Sequence, residues 1–261
     1  MSSKYNTLFV FEGSSTEDNI VGKLEKYFMD EHIAIKCVYG GDIYQLYRSL
    51  QKEDFAVDIL SILKIRSESN RIQLEGYNND SFAYIYFFFD YDAHATMASD
   101  NQIEEMLSYF DNETENGKMF ISYPMVEAIR HYKDKESFMD LKVKCKKRNC
   151  PNSEGCEDKE KCFTEPHYKT FVPTDNLPCY TQLNTFEIWK ELIEAHLCKS
   201  NYIVNDECAM PTEIIAQSLV FKNQCSKFVS QHCPVIAVLS AFPLFVQDYY
   251  GVEGLNNRLS R

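Results

Sequence analysis

"YIYFFFDYDAH", residues 84–94, ends a run of aromatic and aliphatic side chains with two aspartates placed one residue apart, Asp90 and Asp92. From Phe82 to Phe89 the chain lacks the period-two alternation of a half-exposed strand. Unbroken hydrophobicity of this kind fits a central strand covered on both faces by helices. In open parallel sheets ligands bind beyond the carboxyl ends of the strands, so Asp90 and Asp92 stand where a site is expected. Being two apart in an extended segment, they project to the same side.

The flanking segments repeat a strand-then-helix pattern. "TLFVFEG" (7–13) is a β-rich run ending in glycine, and "SSTEDNIVGKLEKYFMDE" then sets Ile20, Val21, Leu24, Tyr27 and Phe28 on one helical face. "IAIKCVYGG" (33–41) is a second strand with a glycine stop, followed by Ile43, Leu46, Tyr47 and Leu50 at helical spacing. A helix around "NQIEEMLSYF" (101–110), a polar turn "DNETENGK" and a strand "MFIS" (119–122) follow the aspartates. Alternation of this kind predicts a layered α/β domain with a parallel sheet.

The chain has 261 residues, 44% of them hydrophobic, enough for one large domain or a domain with an appendage. Its longest apolar run, "PVIAVLSAFPLFV" (234–246), is too short to span a bilayer and contains Pro243, so it reads as core. The opening residues carry no export signal, and a cytoplasmic location is expected. In that setting the ten cysteines are reduced thiols or metal ligands rather than disulfides. Six of them read as small buried hydrophobes. A formal net charge of −12 excludes a protein that holds nucleic acid by a broad basic surface.

Carboxylates gathered at the ends of adjacent strands repel one another and lose hydration unless something positive sits among them. Mg²⁺ takes hard oxygen ligands and keeps several waters, so Glu12 after the first strand, with Asp90 and Asp92, forms a candidate metal set. The competing reading of an aspartate after a strand is a turn former or helix cap. Glu17 has two readings of its own. It ligates the metal, or it completes the capping box "SSTE" (14–17), in which Ser14 caps the helix and Glu17 reaches back to its backbone.

Together "FVFEGSSTED", "VYGGD", "FFFDYDAH" and "ISYPMVEAI" resemble, in residues and in order, the Toprim domain shared by primases, topoisomerases, small-RNA maturases and several anti-phage nucleases. The first motif and the Ser122–Glu127 spacing are more similar to the RloB and OLD-type Toprim proteins of bacterial defence. The resemblance covers roughly residues 7 to 131. It implies catalytic metal, one or two Mg²⁺ or Mn²⁺ ions, at Glu12, Asp90 and Asp92, with Glu17 or Glu127 completing a second site. Glu12 would be the acid–base residue, and Ser122 would support the site; His94, two residues beyond Asp92, could separately support it by hydrogen-bonding a metal-bound water or a phosphate. It also implies an ATPase partner of the ABC or AAA type, since the chain has no phosphate-binding G-x-x-x-x-G-K motif of its own. Where the family has Asn-Pro followed by a Cys-Phe-Glu segment, this chain has Tyr123, Pro124, Met125, Val126 and Glu127. Glu127 therefore has a competing reading as a partly exposed residue of a helix "MVEAIRHY", and Ser122 as a cap.

After about residue 135 the chain becomes charged, poor in aliphatics and spaced with cysteines. Cys145, Cys150, Cys156 and Cys162, in C-x4-C-x5-C-x5-C order, are candidate ligands for a structural zinc, with His167 and Cys179 as substitutes. A loop with free thiols is the alternative. The basic "KVKCKKR" (142–148) could touch phosphates, although solvated lysines are the commoner use of such a run. Phe186, Trp189, Ile193 and Leu197 share a face of the helix read over 185–197, and 211–224 reads similarly. The expected organisation is a Toprim-like catalytic domain over 1–135, a cysteine-containing insertion over 136–182 and a helical region over 183–261.

Two functions follow as expectations. One is a metal-dependent nuclease that cleaves phosphodiesters in DNA or RNA, tRNA included, as the effector of an anti-phage or abortive-infection system. The other is a non-catalytic Toprim-fold scaffold or regulatory subunit that binds a partner. A homo-oligomer is compatible with either, and no membrane role is expected.

Overall fold

The computed structural model describes residues 5–13, 16–29, 32–91, 93, 98–145, 168, 172, 183–231 and 234–260. The chain divides into two compact units, Met1–Phe89 with Asn101–Phe120, and Asp90–Asp100 with Ile121–Arg261.

In the first unit, β1 (Tyr5–Phe11), α1 (Thr16–Phe28) and β2 (His32–Val38) form a strand–helix–strand unit, and β2 lies parallel to β1 with Phe11 opposite Val38. Three helices follow: α2 (Ile43–Gln51), α3 (Ile59–Arg66) and α4 (Glu68–Gln73). β3 (Tyr84–Asp90) pairs parallel with β1 on the side away from β2, Phe11 now opposite Phe88. The run over α5 (Asp100–Tyr109), β4 (Asp111–Asn112) and β5 (Gly117–Ser122) completes a mostly parallel five-stranded sheet in the order β2-β1-β3-β5-β4. The protein is α/β.

β1 and β3 are inner strands, as their sequences require. Leu8, Phe9, Val10 and Phe11 are buried, and so is every residue of β3 from Ile85 to Asp90. The Phe9 ring centroid lies 6.3 Å from that of Phe11, 5.9 Å from Tyr86 and 6.2 Å from Phe88, a packed aromatic layer on one face. The polar turn read over 111–118 is a tight hairpin, with β4 antiparallel to β5. Gly117 has φ +105° there, and a Cβ at this position would lie 2.5 Å from the Phe87 ring, so no other residue fits both the backbone and the packing.

The second unit is held by helices α6 (Lys135–Asp140), α7 (Phe186–Asn205), α8 (Gln217–Gln224) and α9 (Ala241–Leu259), and by an antiparallel pair β6 (Lys142–Lys144) and β7 (Val235–Ala237). Thr185 caps α7, accepting from the Ile188 N–H, and Trp189 is wholly buried with its Nε1–H donated to the Leu183 carbonyl. Truncating a tryptophan so enclosed costs on the order of 3–5 kcal/mol.

Several local expectations change here. The helix read over 211–224 begins only at Gln217 and continues as a π turn over Cys225–Val229. The run over 234–246 is core, as read, but it divides into β7 and the start of α9. Pro243 falls in the first turn of α9, where its missing N–H would have had no helical partner. β6 lies within the cysteine-bearing stretch and pairs with β7 from the C-terminal region. Of the six cysteines read as buried hydrophobes, Cys37 and Cys198 are buried and Cys225 is half-buried. Cys208 is exposed, because it follows the left-handed Asp206 that ends α7 and lies outside the packed faces. No helix among the described residues is long and apolar enough to cross a membrane.

Candidate functional site

β1 leads to β2 on one side and the chain then returns past β1 to place β3 on the other, so the strand order reverses at the β1–β3 pair. Crevices at the carboxyl ends of such a pair are where open α/β sheets place their ligands. Glu12 is the first residue past β1. Its N–H donates to the Phe88 carbonyl at 3.1 Å, and its carbonyl accepts from the Gly40 N–H at 3.1 Å. The backbone carrying this carboxylate is thus tied to the ends of both neighbouring strands, while the residue itself is half-buried. Asp90, the last residue of β3, is only 6% exposed.

Glu17 lies in the first turn of α1, is buried, and accepts from the Gly13 N–H at 3.3 Å. The carboxylate reaches back to the strand–helix turn at Gly13, while Ser14, the cap in the capping-box reading, lies outside the described residues. A negative side chain at this place also complements the helix dipole. Glu127 is not on an exposed helix face. It lies on a 3-10 turn, Val126–Arg130, and is buried, because Val126, Ala128 and Ile129 are buried around it. Ser122 ends β5 and is committed to packing: its carbonyl accepts from the Tyr91 N–H at 2.9 Å, and its Oγ from the Ala241 N–H at 3.3 Å. That bond satisfies one of the unpaired donors opening α9, the capping role in tertiary form.

Asp92 and His94 lie outside the described residues, as do Cys150, Cys156, Cys162, His167 and Cys179. Of the candidate zinc set only Cys145 is described. It is buried, and its N–H donates to the Pro234 carbonyl at 2.9 Å, extending the β6–β7 pair. Among the described residues no group of three or more His, Cys, Asp or Glu side chains could hold a metal ion. The donor types nonetheless suit one. Glu12, Glu17 and Asp90 offer carboxylate oxygens alone, the hard set that Mg²⁺ and Mn²⁺ prefer, and two of the three are buried at the ends of secondary elements.

Two groups of polar residues were missed by sequence reading. In the first unit Arg66, at the end of α3, donates through Nε to the Tyr39 carbonyl at 3.0 Å and through Nη2 to the Gly40 carbonyl at 2.8 Å. The "YGGD" stretch marked the loop, but nothing local to α3 marked its partner. In the second unit Lys199 is enclosed and donates to the Phe138 and Leu141 carbonyls, both at 2.7 Å, beside the Phe138 ring. Burial, with Lys142 nearby, holds its amine well below the usual lysine range. His196 lies one turn earlier, also enclosed, its Nδ1 accepting from the Ser240 N–H at 3.0 Å. Burial and then Lys199 hold its imidazole well below the usual histidine range, and the same two causes lower His131, whose Nδ1 is 3.0 Å from the Tyr168 hydroxyl, to about 4.

A separate cleft of about 500 Å³ in the second unit is lined by Asn201, Asn205, Glu207, Glu213, Ile214 and Leu219 among others. It contains none of the residues singled out from sequence. Comparisons with family models, with curated proteins and with solved structures find no match to this chain.

Proposed function

We propose that this chain is a metal-dependent nuclease of the Toprim type, acting on phosphodiester bonds in DNA or RNA. The observation that supports this most is the strand reversal at β1 and β3, with Glu12 tied by its backbone to the end of β3 and Asp90 closing that strand. Glu12, Asp90 and Asp92 would hold the cation, and Glu17 or Glu127 would complete a second position. A divalent ion bound there supplies polarisation of the phosphate and stabilisation of the attacking and leaving oxygens. Glu12 would orient the attacking group and exchange its proton, from a backbone that needs no rearrangement to do so.

Action as an anti-phage effector beside an ATPase is part of the same reading, and rests on the motif resemblance. So is a structural zinc at Cys145, Cys150, Cys156 and Cys162. Elemental analysis without zinc, together with free alkylation of these thiols, would remove that element alone.

The test is incubation of purified protein, with and without Mn²⁺, against plasmid, single-stranded DNA and total tRNA. We expect metal-dependent cleavage of at least one, lost in Glu12→Gln with the fold intact. No cleavage in any arm would leave the partner-binding scaffold as the better account.

A further inference from the structure

We infer that Arg66 is a phosphate-contacting residue that positions a nucleic-acid backbone beside Glu12, an inference that rests on the nuclease reading for its substrate class. Arg66 is exposed, yet it is held by contacts that exposed arginines seldom share. Its Nε and Nη2 donate to the carbonyls of Tyr39 and Gly40, and its guanidinium carbon lies 4.2 Å from the centre of the Tyr39 ring. Gly40 is the link to the carboxylate, since the residue that accepts from Arg66 also donates its N–H to the Glu12 carbonyl. One residue earlier, the Tyr39 N–H donates to the Phe11 carbonyl at 2.7 Å. Arg66 and Glu12 therefore hang on the same two-residue loop at the carboxyl end of the sheet.

Three features make this a cation prepared for an anion. The contacts of Arg66 are carbonyls and a ring, and among the described residues none is a carboxylate, although the chain carries a net charge of −12. A guanidinium has five N–H donors; the two carbonyls occupy two, leaving the rest of the planar fork for phosphate oxygens. The neighbouring backbone also leaves room for it, since a Cβ on Gly41 would lie 2.8 Å from Arg66 Nη2 and 2.6 Å from Gln45 Oε1. A side chain fixed in this way loses little further rotamer freedom on binding. It also suits an acidic protein that must hold phosphates through a few placed cations rather than a basic surface.

The test reads binding apart from cleavage. Fluorescence anisotropy with fluorescein-labelled single-stranded DNA, and with RNA of the same sequence, is followed in EDTA across a salt series. Arg66→Gln should weaken binding on the order of tenfold at low salt and reduce the slope of log affinity on log salt by about 0.7. Arg66→Lys should restore the slope but not the full affinity, because the charge returns without the fork. Arg71→Gln removes a nearby exposed charge paired with Glu68 and should change neither. Thermal melts check that each variant is folded. Equal losses in Arg66→Gln and Arg71→Gln, an unchanged slope in Arg66→Gln, or no salt-dependent binding by the wild type would each overturn the inference. Arg66-dependent binding by a protein that cleaves nothing with Mn²⁺ would keep Arg66 and discard the nuclease reading. Cleavage with binding indifferent to Arg66 would do the reverse.

Discussion

Lys199 and Gln224 in the second unit are enclosed by protein and direct their donors and acceptors to backbone. Lys199 serves the Phe138 and Leu141 carbonyls, and Gln224 grips Ala237 from both sides, donating to its carbonyl at 2.8 Å and accepting its N–H at 3.1 Å. Glu12 and Arg66 in the first unit are arranged the other way. For Glu12 it is the backbone that is tied down, and for Arg66 one edge of the guanidinium, and both residues keep solvent-facing surface at the carboxyl end of the sheet. Burial of a polar residue is therefore a poor guide to function in this chain. What separates Arg66 from Lys199 and Gln224 is whether the side chain's hydrogen-bonding groups are enclosed and used up by the fold.

The largest effect that would break this comparison concerns activity. Glu12→Gln should lower metal-dependent cleavage at least about 100-fold with an unchanged melting temperature in EDTA. A variant that melts early but cleaves normally once folded would put Glu12 with the structural residues. Gln224→Leu should behave oppositely. It orphans a buried N–H and a buried carbonyl of β7, at about 1–3 kcal/mol for each group, while sparing the cleavage rate of the folded fraction. Denaturant titration measures this directly.

A smaller effect is set by pH. His131 is lowered to about 4 in the folded chain, so between pH 6.5 and 4 the unfolded chain binds a proton that the folded chain refuses. Its contribution is level above pH 6.5 and is lost as pH falls through that window. His196, held low by burial, adds to the same trend. Melting temperatures of His131→Gln over this range should fall less steeply than those of the wild type. Parallel curves would contradict the assignment. The smallest expected change is in Gly41→Ala. The atoms a Cβ would meet are side-chain ends, Gln45 Oε1 and Arg66 Nη2, rather than backbone, so stability should move by less than about 1 kcal/mol while nucleic-acid binding falls with the displaced guanidinium.

Much of the first unit was legible in the sequence because its signals are local. The unbroken apolar run before Asp90 marks an inner strand, and the glycines after Glu12 and Tyr39 mark strand ends to within a few residues. Asp42 caps α2 by accepting from the Gln45 N–H, where the helical spacing begins. The hairpin at 111–118 was hidden because β4 contributes only two residues, both polar. The delayed start of α8 was hidden because Ile214 and Ile215 carry helical spacing in a segment that stays irregular up to Ala216. The roles of Arg66, Lys199 and Ser122 could not be read at all. Each depends on a partner distant in sequence, 119 residues away for the bond from Ala241 to Ser122. Local periodicity carries no record of such pairs.

The central claim is that Asp90 closes β3 in order to hold a cation rather than a turn. Thermal melts of the wild type and Asp90→Asn, each in EDTA and in Mn²⁺, test it most directly. A metal-binding aspartate repels its neighbours when the metal is absent, so Asp90→Asn should be as stable as the wild type in EDTA, or slightly more stable, and should gain much less from Mn²⁺. Equal Mn²⁺-induced shifts in the two proteins, with Asp90→Asn less stable by about 0.5–2 kcal/mol in both buffers, would show Asp90 to be structural and contradict the account.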